Sequence, residues 1–193
     1  MTGRVGVVQQ DYPLFNHRSV WSNLAVAAGM SADTPQNSKN AINVMVTRML
    51  ERVNLLPHRD QYPAQLSGGQ RQRVAIAQQL LCSEKFLLLD EPFSGLDPNM
   101  TDEVGKLLVE IANQEEQNTI IIVSHDLSST SAICDTVWVM GRDRNPDGSV
   151  IPGAYIKHNF NLVERDLAWK PDIRLDPRFS DFIREVRSLF PSL

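Results

Sequence analysis

Two short apolar runs, Phe86–Leu89 and Thr119–Val123, do most to limit what this chain can become. Each is followed at once by polar groups, Asp90-Glu91-Pro92 after the first and Ser124-His125-Asp126 after the second. Between them lies a helical pattern over Asn99–Asn113, led in by Asp97-Pro98 as cap and first-turn residue. Runs this short and this uniformly apolar fit strands buried on both faces of a parallel sheet. The helix between them supplies the crossover that parallel pairing needs. The expected fold class is therefore α/β.

The flanking segments extend that pattern. Arg4–Gln9 reads as a strand, Ser19–Met30 as a helix, and residues 31–40 as a polar loop. Ile42, Met45, Val46, Met49, Leu50 and Val53 recur at spacings of three and four, which predicts an amphipathic helix over Ala41–Val53. A helix follows Ser67 and runs to about Leu81, another spans Leu127–Ile133, and Thr136–Met140 is expected as a third strand. Residues 142–153 are rich in Gly, Pro and Asp and read as a turn. A terminal helix over Pro177–Leu189 places Phe179, Phe182, Ile183, Val186 and Leu189 on one face.

Bulk properties exclude several classes. A net charge of -4 leaves no basic footprint for nucleic acid. Cys82 and Cys134 are far apart and lack CxxC spacing, so they read as buried thiols in a reducing compartment. No stretch approaches the ~18 apolar residues that span a bilayer, and the N-terminus lacks the apolar core of a signal peptide. A cytoplasmic protein is expected, held at a membrane only by a partner.

Five local signals bear on chemistry. Leu66-Ser67-Gly68-Gly69-Gln70 opens a helix, where glycines allow close backbone approach and the helix start favours anions. Asp90 ends a buried strand and suits Mg²⁺ through its water shell, while Glu91 suits a general base. Ser94–Asp97 forms a tight turn directly after the acidic pair. His125, just past the second apolar run, can reach a γ-phosphate, and Gln10 after the first strand can hold water or Mg²⁺. Taken singly, each signal is also ordinary cap, turn or strand-end polarity.

Their conjunction, in this order, resembles the nucleotide-binding domain of ABC transporters over about residues 4–141. Gln10 matches the Q-loop glutamine, LSGGQ the family signature, and Asp90 and Glu91 the Walker B aspartate and catalytic glutamate. Ser94–Asp97 matches the D-loop and His125 the switch histidine. The tail is loosely similar to importers of the nitrate, sulfonate and taurine type. The resemblance implies a P-loop NTPase-like (RecA-like) parallel-sheet core with an inserted α-helical subdomain over residues 12–65. Residues 4–11 would form the Q-loop strand, 66–141 the remaining core, and 142–193 a C-terminal strand and helix.

It also implies ATP and Mg²⁺ as ligands, with Glu91, His125 and Gln10 catalytic. Leu66, Ser67, Gly68, Gly69, Gln70 and Asp97 would bind nucleotide, and Asp90 with Gln10 the metal. Implied partners are a second ATPase subunit in a head-to-tail dimer, transmembrane permease subunits and, indirectly, a periplasmic or extracellular binding protein. The expected location is the cytoplasmic face of the plasma membrane. One departure is clear: no GxxxxGK(S/T) occurs in the sequence, so the implied fold lacks its N-terminal strands and P-loop, and this chain is expected to be inactive alone. Chromosome-maintenance relatives insert a long coiled coil after the Q-loop, whereas only residues 11–65 intervene here, without sustained heptads. Translation-type relatives carry two such domains and a basic character, both missing here. A catalytically incomplete or regulatory partner that supplies only the signature is the alternative.

Overall fold

The computed structural model describes residues 5–30, 38–82, 86–114 and 118–190, and they pack as two units divided between His125 and Asp126. In the first unit, β1 (Val5–Val8), β2 (Phe86–Asp90) and β3 (Thr119–Val123) form a parallel sheet in the order β1-β2-β3. Helix α4 (Pro98–Gln114) connects β2 to β3, as parallel pairing requires.

The sheet is not buried on both faces. Val8, Leu87 and Leu89 are buried on one side, where α3 (Gly68–Cys82) lies against β1. On the other side Val5 is 60% and Val123 54% exposed, with Val7, Phe86 and Ile121 exposed beside them. The expectation of doubly buried strands at Phe86–Leu89 and Thr119–Val123 is corrected. Among the described residues, helices cover one face, and the apolar composition of the other has no counterpart packed on it.

Helices α1 (Val20–Met30), α2 (Lys39–Arg52) and α3 pack on one another. Val20, Leu24 and Ala28 of α1, Val46 and Leu50 of α2, and Val74 and Ile76 of α3 are wholly buried. Ser38 caps α2 by accepting from the Ala41 amide. Arg73 crosses between elements: it donates to the Val53 carbonyl at 3.2 Å and pairs with Glu103 of α4 at 3.2 Å. The buried Asn23 side chain organises the entry into α1. Its oxygen accepts from the Phe15 amide at 2.8 Å, and its nitrogen donates to the carbonyls of Phe15, Arg18 and Ser19.

The second unit holds α5 (Leu127–Ser131), β4 (Thr136–Gly141), β5 (Tyr155–Asn161) and α6 (Pro177–Leu189). Strand β4, expected with the parallel strands, instead pairs antiparallel with β5, with a register shift at Val139/Met140. The reason is the connection. Residues 142–154 turn back through Asn145–Ser149, where Gly148 has φ +85°, and a returning chain pairs antiparallel. Phe160, Phe179 and Phe182 centre a core with Leu162, Leu167 and Val186. The Phe160 and Phe182 rings meet edge-on at 5.5 Å. Arg165 lies over both rings and forks onto Glu185 at 2.6 and 3.1 Å.

Asn23→Ala would orphan the Phe15 amide and the carbonyls that Asn23 now serves. A loss of about 2–3 kcal/mol is expected, read as a lowered urea midpoint at unchanged slope.

Candidate functional site

The parallel register fixes where the polar groups arrive. Asp90 stands opposite Val123, and the next residue, Glu91, donates its amide to the Val123 carbonyl at 2.8 Å. The chain then turns sharply, and Glu91 adopts a left-handed backbone with φ +48°. A non-glycine residue in that region is uncommon, and such strain gathers at functional positions.

The turn points the Glu91 carboxylate at the end of β3. Oε2 accepts from the Ser124 hydroxyl at 3.1 Å, and Oε1 accepts from the His125 amide at 2.9 Å and from Nδ1–H of His125 at 2.7 Å. Burial pushes the carboxyl upward, but the hydrogen bonds from His125 and Ser124 outweigh it and leave Glu91 below the usual carboxylate range. The two side chains sit differently: Glu91 is 17% and His125 80% exposed. A carboxylate fixed by three donors keeps its charge and its direction, while the imidazole that holds it faces outward.

Gln10 and Asp90 meet in one open cleft, lined also by Gln9 and Asp11. All four are oxygen donors of the kind Mg²⁺ prefers. Among the described residues no three His, Cys, Asp or Glu side chains converge as a metal site.

Leu66–Gln70 does not line that cleft. It forms the entry to α3. The Ser67 oxygen accepts from the Gln70 amide at 3.2 Å while Gln70 Oε1 accepts from the Ser67 amide at 2.8 Å, a reciprocal capping box. Leu66 is buried and its carbonyl accepts from Arg71 at 2.8 Å. The two glycines differ. A Cβ on Gly69 would come within 3.1 Å of the Met100 sulfur, so this glycine permits α3 to approach α4, whereas a Cβ on Gly68 would meet open space. Asp97 is occupied as the cap of α4, accepting from the Asn99 and Met100 amides. Gly95, at φ +73°, makes the turn before it.

Two residues were not among the expected site residues. Ser124 holds Glu91, and its only sequence signal is its place between an apolar run and His125. Tyr12 is half-buried, as is Leu14, while Pro13 and Phe15 are exposed. The Tyr12 hydroxyl reaches the Glu91 and Pro92 carbonyls at 3.5 Å each, and burial together with the Glu91 charge pushes its pKa up to about 12.

Ser124→Ala removes one donor from Glu91. Its carboxyl is then expected to titrate at higher pH, followed by ¹³C NMR. A depressed folded-state pKa gives stability that is present above the unfolded value and lost as pH falls through the folded one. The variant should therefore lose that stabilisation at a higher pH than the parent during acid unfolding.

A family model described as ABC transporter matches residues 1–94. The methionine import ATP-binding protein MetN 2 of Pseudomonas aeruginosa is 40% identical over 179 residues, 93% of this chain and 52% of its own length. MetN 1 of Pseudomonas syringae is 42% identical over 137 residues, 71% of this chain and 40% of that protein. The sulfate/thiosulfate import ATP-binding protein CysA of Escherichia coli is 40% identical over 139 residues, 72% of this chain and 38% of that protein. This chain thus spans 38% to 52% of the length of these relatives. The ATP-binding cassette MJ0796, solved as a post-hydrolysis dimer bound to ADP and Pi, superposes with a TM-score of 0.63 at 23% identity. That match covers 83% of this chain and 63% of the cassette and establishes an α/β fold of the same kind. On the sequence matches, the chain belongs to the ATP-binding domains of the ABC transporter family.

Proposed function

We propose that this chain is the catalytic and signature-bearing part of a subunit that binds and hydrolyses ATP to drive solute import. The observation that carries the reading is Glu91: a strained carboxylate at the C-terminal edge of a parallel sheet, fixed by Ser124 and His125. Ligands of open α/β sheets bind at that edge.

The roles follow from position. Asp90 and Gln10 would hold Mg²⁺ through its water shell, and the ion would supply neutralisation of phosphate charge. Glu91 accepts a proton from the attacking water. His125, tied to Glu91 through Nδ1, presents the rest of its ring toward the γ-phosphate. The first-turn amides of α3, behind Ser67, Gly68 and Gly69, offer a second phosphate contact, closed by the Leu66–Gln70 turn. Asp97 fixes the turn that leads from Glu91 into α4.

The accompanying fold reading is a RecA-like core of residues 4–11 and 66–141, an inserted helical subdomain at 12–65 and a tail at 142–193. With no GxxxxGK(S/T) in the sequence, the phosphate cradle comes from polypeptide outside these 193 residues. The partners are a second cassette placed head to tail, membrane permease subunits and, through them, a binding protein. No helix among the described residues is long and apolar enough to cross a membrane. In this reading the permeases hold the chain at the cytoplasmic face. The missing cradle motif also favours a second reading, in which the chain lends only its signature turn to a complete cassette.

Two measurements test this. The chain alone should bind Mg-ATP weakly and show no steady turnover, whereas fusion to a segment bearing GxxxxGK(S/T) should confer both. Micromolar binding and turnover by the unextended chain would contradict the assignment, and an extended chain that binds without hydrolysing would favour the signature-only reading. In the extended form Glu91→Gln should bind ATP normally and hydrolyse it about 10²–10⁴-fold more slowly. The amide keeps an oxygen for His125 and can donate to Ser124, so the fold should persist.

A further inference from the structure

The signature turn is held by a side chain outside it, and the hydrogen bonds leave that side chain one arrangement. The Ser67 amide donates to Gln70, so the atom it meets at 2.8 Å must be the oxygen Oε1. The other end of the Gln70 amide is then Nε2, which has only hydrogens to offer. It lies 3.1 Å from Nε2 of His58. That ring nitrogen must therefore carry the lone pair. The ring hydrogen sits on Nδ1, 3.1 Å from Gln61 Oε1, which accepts it. A hydrogen on His58 Nε2 would face the hydrogens of Gln70. Rotating the Gln70 amide to relieve that would set its NH₂ against the Ser67 amide.

The ring is mounted on a short, anchored turn. His58 ends a 3-10 helix, Leu56–His58, and its carbonyl accepts from the Gln61 amide at 3.0 Å. The carbonyls of Arg59 and Gln61 accept from the Trp21 and Val20 amides at 2.8 Å each, at the start of α1. The imidazole is therefore braced against the helix bundle, and Gln70 is braced against the imidazole.

We infer that His58, as its neutral Nδ1–H tautomer, is a positioning residue that keeps the Ser67–Gln70 turn shaped to receive a phosphate. The inference rests on the nucleotide reading above. His58 touches no substrate and acts through Gln70. Without the ring, Gln70 loses one of its two anchors and its amide can rotate. The cap on Ser67 then opens part of the time. A site that is competent for only a fraction of the time binds more weakly by that fraction.

The test uses the full chain with ¹⁵N-labelled histidine. Long-range ¹⁵N–¹H correlation should show a bare Nε2 and a protonated Nδ1 for His58, assigned by its loss in His58→Gln. His58→Leu should shift the Ser67 backbone amide and the Gln70 side-chain NH₂ signals. His58→Gln should restore them, because its side-chain oxygen reaches about where Nε2 lies. A hydrogen found on Nε2, or Ser67 and Gln70 signals indifferent to His58→Leu, overturns the inference. If His58→Leu fails to fold, the tautomer in the parent and the signals of His58→Gln decide. Turnover is then measured with a partner cassette that carries a phosphate loop. His58→Leu should raise KM for ATP about five- to tenfold with little change in kcat, the size expected for one lost hydrogen bond, and His58→Gln should behave as the parent. An unchanged KM in His58→Leu overturns the positioning role. If the parent mixture itself shows no turnover, the ATPase reading fails and the NMR result alone decides His58.

Discussion

Parallel pairing of β2 with β3 is the constraint on which the rest of this chain depends. Adjacent parallel strands end on the same side, so the groups that follow them are delivered to one edge without further design. Here the register sets Asp90 against Val123 and carries Glu91 to Ser124 and His125. A shift of one residue would turn the buried Leu87 and Leu89 outward and send the carboxylate away from its donors. The hydrophobic side of the sheet thus fixes the geometry of its polar end.

The helical bundle solves a related problem by other means. It builds the start of α3 from a capping box and a close glycine contact with Met100, then braces it through Gln70, His58 and the turn at 58–61. Polar side chains carry much of this connectivity: Asn23 gathers the residues before α1, and Arg73 ties α2 to α4. Such networks give directional rigidity, since each member has few partners able to satisfy it.

Much of this was legible in the sequence because it rests on local rules. Apolar runs of strand length marked β2 and β3, threefold and fourfold spacing marked α2 and α6, and Asp97-Pro98 marked the start of α4. The expected pair of Glu91 and His125 is brought together by the register between their strands. What escaped depends on distant segments. Strand β4 looks like its parallel neighbours in composition, and only the returning connection through Gly148 decides its antiparallel partner. Burial of both sheet faces failed as an expectation because composition records what a strand can tolerate, not what lies upon it. Tyr12 reads as one apolar residue among several until the fold carries its hydroxyl to the Glu91 carbonyl. His58 sits 12 positions from Gln70 with no periodic relation to it.

The uncovered side of the sheet separates two kinds of information. Backbone groups lie in the plane of the sheet, so on this face Val5, Val7, Phe86, Ile121 and Val123 present side chains alone. Such a surface rewards contact area and shape but has almost no polar vocabulary with which to reject a wrong neighbour. The polar groups of this sheet lie instead at the ends of the strands, where Gln10, Asp90, Glu91 and His125 stand. In this chain apolar and polar surface are assigned to perpendicular directions of the same three strands, one across the face and the other along the strand axis.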